Sequence, residues 1–429
     1  MAAFEPQFTW KNGVIHKREL PIILQSVNPF IPGKDLIIAR IKESNDDCHM
    51  QATTSMELAI KAQQYTKKVE VPAEYQQFSK VFSEEESKRY PLKRAWDHAI
   101  KFKKDAPDAI DCKVYPMNRI EDEAVQKFLQ DELEKGYIRE SKSPYASSFF
   151  FVHKKDGKMR PVQDYCKINA ITIQNQYPLP LIADLIRDLS NTHIYTKLNV
   201  RWGYNNVRIR EGDEKKAAFK TRYGLFKPTV MYFRLTNSPA TFQTVMNFIY
   251  CDVILKHELL GTMICVYMDD IGIATRTNLN DHRCAVHDVL KVAQLHDLYF
   301  KPEKCLFHSS SMDYLGVILE KGVTRMDPAK IAGVDTWPVP KTATEVRKVL
   351  GFFNFYCPFI EGFVFIARPL HKLTRKDQEW HWGPEEQKAF DALKKRVTSE
   401  PVLAHAKLDD QFELEVDASG YAVGAVLLQ

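Results

Sequence analysis

At 429 residues the chain is too long for one ordinary domain and should divide into two to four compact units. A hydrophobic share of 45% and a charged share of 27% exclude a disordered or fibrous protein, and a net charge of +5 is too small to argue for nucleic-acid binding without local clustering. None of the eight cysteines stands at Cys-x-x-Cys spacing, the N-terminus MAAFEPQFTWKNG lacks a signal-peptide pattern, and no apolar run reaches the roughly 18 residues of a membrane span, so a soluble intracellular protein without a disulfide framework is expected.

Residues 1 to about 70 are weakly periodic, and the stretch from Val71 to Arg119 is rich in charge and proline, ending extended near Tyr115-Pro116. A helix is expected over 121–135, with Val125, Phe128, Leu129 and Leu133 on its buried face and Gly136 to stop it. Two short strands around Lys154-Lys155-Asp156-Gly157-Lys158 read as a hairpin with a basic tip. Apolar runs at 263–267 and 271–274 flank Met268-Asp269-Asp270 and read as a second hairpin with carboxylates at its turn. Thr342, with Glu345 three residues on, should cap a helix that buries Val346, Val349, Leu350 and Phe353. The alternation of Phe412, Leu414 and Val416 up to Asp417, the turn at Ser419-Gly420 and the apolar run to Gln429 predict two strands.

The sharpest chemical signal is Tyr267-Met268-Asp269-Asp270 between apolar strands. Nucleotidyl transfer uses two metal ions about 4 Å apart, and magnesium takes hard carboxylate oxygens, so acidic residues on a rigid hairpin suit it. Taken alone, the tetrapeptide is as readily an ordinary polar turn.

Its surroundings decide between the two. KKDGKMRPVQDYCKINAITIQNQYPLP, TKLNVRWGYNNVRI, LTNSPATFQ and VYMDD, followed by KPEKCLF, YLG, TATEVRKVLGFFNFY and VDASGYAVGAVLLQ, stand in this order along the chain. From Val71 to Gln429 the sequence resembles the reverse transcriptases of gypsy-class long-terminal-repeat retrotransposons. The resemblance implies an α+β fold, the right-hand polymerase of fingers, palm and thumb, followed by a connection segment and the truncated start of an RNase H-like domain. The implied divisions are a remnant and linker at 1–70, a pre-fingers segment at 71–136, fingers and palm at 137–310, thumb and connection at 311–395, and the RNase H-like part at 396–429.

The resemblance also implies roles. Asp269 and Asp270 would hold two magnesium ions, with a third acidic residue at the position of Asn199. Lys155 and Arg160 would hold the triphosphate of a deoxynucleotide, and Tyr204 would exclude a 2′-hydroxyl. Ser238, Pro239, Phe242 and Gln243 would line the template and nucleotide pocket, and Lys304 would protonate the pyrophosphate. Tyr314, Leu315 and Gly316 would grip the primer, and Asp417 would be the first acidic residue of RNase H, standing without its partners. Partners would be an RNA or DNA template with primer and deoxynucleotide triphosphates, in the cytoplasm (within a virus-like particle) or the nucleus. Oligomeric state is left open. No Asp-Thr-Gly or Asp-Ser-Gly triplet is present, so no protease activity is expected, and with Asp417 alone among the expected carboxylates no RNase H activity is expected either.

The departures are informative. Asn199 stands where the family has aspartate, Arg234 where it has glycine, Lys227 where it has glutamate, and Cys166, Cys251 and Cys357 where arginine is common. Each is one C-to-T or G-to-A transition away, the mark of cytosine deamination in a silenced repeat. A neutral amide is a weak magnesium ligand, so metal binding and RNA-directed DNA synthesis should be impaired; the alternative reading is a catalytically inactive nucleic-acid-binding relic. An RNA-dependent RNA polymerase is disfavoured by Tyr204 and by the RNase H-like start downstream. The cluster Lys154, Lys155, Lys158, Arg160, Lys215, Lys216, Lys220 and Arg222 supplies the local positive charge that binding would use.

Overall fold

The computed structural model describes residues 71–153, 159–276, 278–321, 323–360, 362–376 and 378–399, with short strands near both termini and Gln411. The chain divides between Tyr314 and Leu315: one unit takes Thr66–Tyr314, the other Leu315–Gln429 together with Met1–Tyr65.

In chain order the first unit carries helix α1 (Arg119–Glu134), strands β1 (Tyr145–His153), β2 (Met159–Asp164), β3 (Ile194–Asn199), β4 (Phe219–Thr221) and β5 (Gly224–Pro228), helix α2 (Ser238–Glu258), strands β6 (Thr262–Tyr267) and β7 (Asp270–Thr275), helix α3 (Leu279–Leu295) and strand β8 (Leu306–Ser309). One antiparallel sheet runs β6-β7-β3-β8. Its apolar face, including Leu198, Ile264, Ile271 and Ile273, packs with Phe242, Met246 and Ile249 of α2 and Val286, Val289 and Leu290 of α3. Apolar residues surround nearly the whole of α2, which is why it can be buried along most of its length. Tyr75, Phe78, Val81 and Phe82, from a 3-10 stretch at Ala73–Phe82, complete this core.

A second sheet orders a two-residue strand Ile110–Asp111, then β1, β4, β5 and the strand Ile138–Glu140, with β2 paired to β1. Val125 and Leu129 of α1 join Phe149, Phe219 and Phe226 in its core. The segment 71–136 thus divides between the two cores. Asn118 closes α1 with a full capping box, accepting from Glu121 N while Glu121 accepts from Asn118 N, and Gly136 (φ +73°) ends it. The buried face differs from expectation at one position. Leu133 is 43% exposed and Glu132 is buried, because 132 falls near the centre of the face set by 125 and 129 while 133 falls at its margin. Glu132 is satisfied there by Lys135 at 2.9 Å and by the Tyr232 hydroxyl.

The second unit contains strands β9 (Val317–Glu320) and β10 (Val323–Met326), helices α4 (Ala343–Phe355), α5 (Phe363–Lys372) and α6 (Pro384–Thr398), and strands β11 (Val402–Ala404), β12 (Glu413–Ala418) and β13 (Val423–Leu428). Strand β10 lies between β9 and β11, and Val346, Leu350, Phe353, Leu370, Phe390 and Leu393 form the helical core. The Thr342 hydroxyl accepts from Glu345 N at 3.2 Å as expected, while the Glu345 carboxylate turns to Lys341 N at 2.6 Å. Strands β12 and β13 pair antiparallel, with Asp417 opposite Gly424. Phe412 and the Ser419-Gly420 turn lie outside the described residues. No helix among the described residues is long and apolar enough to cross a membrane.

Candidate active site

The register of β3 against β7 sets Asn199 directly beside Asp270. Strands β6 and β7 are joined by Met268 and Asp269 alone, a turn tight enough to hold Met268 at φ +55°. Three side chains meet there: Asn199 Nδ2 donates to Asp270 Oδ1 at 2.8 Å and to Asp269 Oδ2 at 3.4 Å. Asn199 is buried, and its Oδ1 has no hydrogen-bond partner among the described residues. Burial pushes the Asp270 carboxyl above the usual carboxylate range; the Asn199 hydrogen bond, Lys197 and Lys304 oppose this rise, and the charge of Asp269 adds to it.

Whether these residues suit a divalent cation turns on the amide. Two carboxylates offer the hard oxygens a magnesium ion takes, but an N–H donor points at both of them. Rotating the amide half a turn would present the unpartnered Oδ1 as a neutral third ligand, at the loss of both hydrogen bonds. The donor set therefore fits such an ion, with one carboxylate fewer than the family pattern supplies.

The turn is braced from α2. Gln243, fully buried, accepts from Met268 N at 2.8 Å and donates to Val266 O at 3.0 Å and Asn247 Oδ1 at 2.8 Å. Val200 N donates to Asp269 O at 2.7 Å, locking the chain after β3 onto the same turn. Gly203 passes so close that a Cβ would meet the Phe242 ring at 3.2 Å and Asp269 Cβ at 3.5 Å. Asn206 Nδ2 donates to three successive carbonyls, Arg201, Trp202 and Gly203, at 2.9, 3.1 and 3.3 Å. These contacts place Tyr204, whose ring packs edge-on against Phe233 at 5.0 Å and Phe242 at 5.6 Å. Burial, with the charge of Asp269, pushes its phenol up to about 12.

A cavity of about 270 Å³ opens beside Tyr204, lined also by Arg160, Arg234, Phe233 and Pro239. Of the residues expected to line a template and nucleotide pocket, Pro239 alone faces it. Ser238 is fully buried and donates to Tyr232 O at 3.2 Å, Phe242 is core, and Gln243 serves the turn. Arg234 adopts φ +73°, which accounts for glycine at this place in the family pattern and costs a non-glycine residue on the order of 1 kcal/mol. Its carbonyl accepts from Asn169 Nδ2 at 2.7 Å, and its guanidinium sits 5.6 Å over Phe150, clear of the backbone.

Lys304 lies exposed in the turn Pro302–Lys304, where its charge reaches Asp270. Tyr314 is fully buried, with its hydroxyl donating to Cys265 O at 3.2 Å and Asp270 O at 3.5 Å, and its ring would meet a Cβ on Gly272 at 3.1 Å. Its side chain supports the hairpin from within, while Leu315 and Gly316 begin the other unit. Lys155 and the side chain of Asp417 lie outside the described residues, as do Lys154 and Lys158. The basic cluster is partly neutralised: Lys216 pairs with Asp213 at 2.6 Å, Arg222 with Asp122 at 3.3 Å, and Lys220 with Asp111. Sequence reasoning missed the Gln243 brace, because its partner is a backbone amide across the sheet.

Residues 152–319 match the family model described as reverse transcriptase (RNA-dependent DNA polymerase), and residues 382–429 match an RNase H-like domain found in reverse transcriptase. The chain is 33% identical over 371 residues to the transposon Tf2-3 polyprotein of Schizosaccharomyces pombe, and equally to Tf2-4, covering 86% of this chain and 27% of each polyprotein. Among solved structures it resembles the foamy viral protease–reverse transcriptase in complex with double-stranded DNA (TM-score 0.70, 18% identity, 88% of this chain and 66% of that one). It also resembles that protein in complex with an RNA/DNA hybrid (TM-score 0.65, 18% identity, 82% and 48%).

Proposed function

We propose, from the premise that the chain belongs to the reverse transcriptases of gypsy-class long-terminal-repeat retrotransposon polyproteins, that it is an RNA-directed DNA polymerase with weakened chemistry and a retained hold on primer and template. The chain spans about a quarter of the polyproteins it matches, so this reading concerns the polymerase part alone. The observation that carries it is the Asn199 amide lying between Asp269 and Asp270 in a right-hand polymerase fold.

Asp269 and Asp270 would hold two magnesium ions, which when bound lower the charge barrier between a primer 3′-oxygen and a triphosphate. Asn199 adds no negative charge to that site, and loss of one electrostatic stabiliser typically costs on the order of 10²–10³ in rate. Tyr204 would lie beneath the sugar of the incoming deoxynucleotide and reject a 2′-hydroxyl. Arg160 would take its phosphates, and Lys304 would donate a proton to the leaving pyrophosphate. Foamy viral relatives of the fold hold double-stranded DNA and an RNA/DNA hybrid, which supports the same partners here.

Primer extension with deoxynucleotides and with ribonucleotides, on this chain and on Asn199→Asp, tests the reading. The expected rate with Asn199 is at most about a hundredth of that of a relative with aspartate in this position, with deoxynucleotides preferred in any activity the variant regains. Turnover equal to the relative's would overturn it. The second reading, a binding relic, is favoured by the hydrogen bonds that satisfy both carboxylates without a cation. It predicts primer–template binding with no extension by either protein.

A further inference from the structure

Two guanidiniums line the cavity beside Tyr204, and among the described residues neither has a carboxylate partner. The Arg160 guanidinium lies 5.6 Å over Phe233 and that of Arg234 lies 5.6 Å over Phe150. Asp164, whose carboxyl feels the charge of Arg234, makes no ion pair with it and accepts from Cys166 N at 3.1 Å. Other cations of this unit do have carboxylate partners: Lys216 pairs with Asp213, Lys227 with Glu214 at 2.9 Å, and Arg201 with Glu84 at 3.1 Å and Glu303 at 3.6 Å. Two unneutralised guanidiniums on one concavity are an anion site, and their planar forks suit phosphate oxygens.

The walls narrow the ligand. Val152, Val162 and Leu235 make one side apolar, and the rings of Tyr204 and Phe233 make another aromatic. A space of about 270 Å³ accommodates a nucleoside and excludes a duplex, leaving the phosphates at the charged rim. Arg234 also stands at φ +73°, where glycine would be at ease, so the backbone tolerates strain to carry this side chain.

We propose that Arg234 is a second phosphate-binding residue of the nucleotide pocket, acting with Arg160 so that the pocket retains a nucleoside triphosphate without a divalent ion. The proposal rests on the reading of this cavity as the nucleotide pocket. In it Arg160 and Arg234 supply to the phosphates the positive charge that a divalent ion would otherwise bring.

Binding of radiolabelled dATP to the whole chain, by equilibrium dialysis at low salt in EDTA and in magnesium, tests this. Arg234→Gln keeps the length of the side chain without its charge, Arg234→Gly suits the backbone, and Arg160→Ala removes the partner. The expected result is dATP binding in EDTA, competed by inorganic tripolyphosphate and weakened at least about tenfold by either Arg234 variant. Deoxyadenosine should bind all the proteins alike. Equal binding of dATP in EDTA by the parent and Arg234→Gln, with Arg160→Ala still weakened, would overturn the role of Arg234 and leave the pocket standing. Binding that requires magnesium would likewise overturn it. Absence of binding under both conditions, with Arg160→Ala no different from the parent, would sink the pocket reading as well.

Discussion

Asn199 Nδ2 stands 2.8 Å from Asp270 Oδ1, a donor where the family pattern sets a third acceptor. Two neighbouring carboxylates with an aspartate between them repel one another unless a cation intervenes, whereas an amide relieves that repulsion by itself. The amide that should cost catalysis therefore stabilises the pair of carboxylates.

Asn199→Asp should accordingly lower stability in EDTA by on the order of 1–3 kcal/mol, since it removes two charge-assisted hydrogen bonds and adds a third negative charge. Magnesium should restore part of that loss in the variant and change the parent little. Urea unfolding of both proteins with and without the ion decides the matter; identical metal responses would rule the idea out.

Gln243→Leu should leave Met268 N without its acceptor and cost about 1–3 kcal/mol. The loss should appear in urea unfolding and as faster amide exchange at Met268. A variant as stable as the parent, with Met268 still protected, would mean that the brace is incidental.

Arg234→Gly should raise stability by roughly 1 kcal/mol, because φ +73° is costly for arginine and free for glycine. Arg234→Ala should give no such gain. Thermal melts of the three proteins provide the comparison, and a destabilised glycine variant would show that the side chain is worth more to the fold than its backbone costs.

Stability should fall with acidification below about pH 6.5. His98 and His282 are buried and uncharged, His98 against Thr241 Oγ1 at 2.9 Å and His282 between Thr196 and Thr275. Burial lowers them to about 4 and about 3. The unfolded chain, with histidines near 6.5, binds more protons than the folded one across that window. Each residue then contributes a slope of up to about 1.4 kcal/mol per pH unit, stabilising towards neutrality. Urea unfolding between pH 7.5 and 5 should show this loss, and a flat profile would contradict it.

Primer–template affinity should weaken with salt through Arg160 more than through the paired cations. Arg160→Ala should reduce the slope of log K against log salt by about 1, whereas Arg222→Ala, already neutralised by Asp122, should change it by much less. Equal effects would show that the ion pairs open on binding.

Both hairpins and the cap at Thr342 were legible because alternation, turn residues and capping act over a few neighbours. The pairing of β3 with β7 was not legible from periodicity: it joins residues 71 positions apart, and only the family resemblance brought Asn199 to Asp270. Leu133 misled for a related reason, since hydrophobic identity was followed where helical phase placed Glu132, ion-paired with Lys135, inside. Tyr314 and Gln243 carry polar atoms that suggested contact with a ligand. In the fold both bond backbone carbonyls or amides of the β6–β7 hairpin, Gln243 adding Asn247 Oδ1, a use that no local pattern announces.

The three carbonyls gathered by Asn206 have a thermodynamic consequence. A loop that must carry an aromatic ring to a ligand ordinarily surrenders its freedom on binding, and the affinity falls by that amount. Here one amide holds Arg201, Trp202 and Gly203 together, so in the proposed role Tyr204 would meet its ligand with the entropy already lost. Replacing Asn206 by alanine would return that freedom to the loop, and calorimetry would register it as a more unfavourable binding entropy even if every contact in the bound state were recovered.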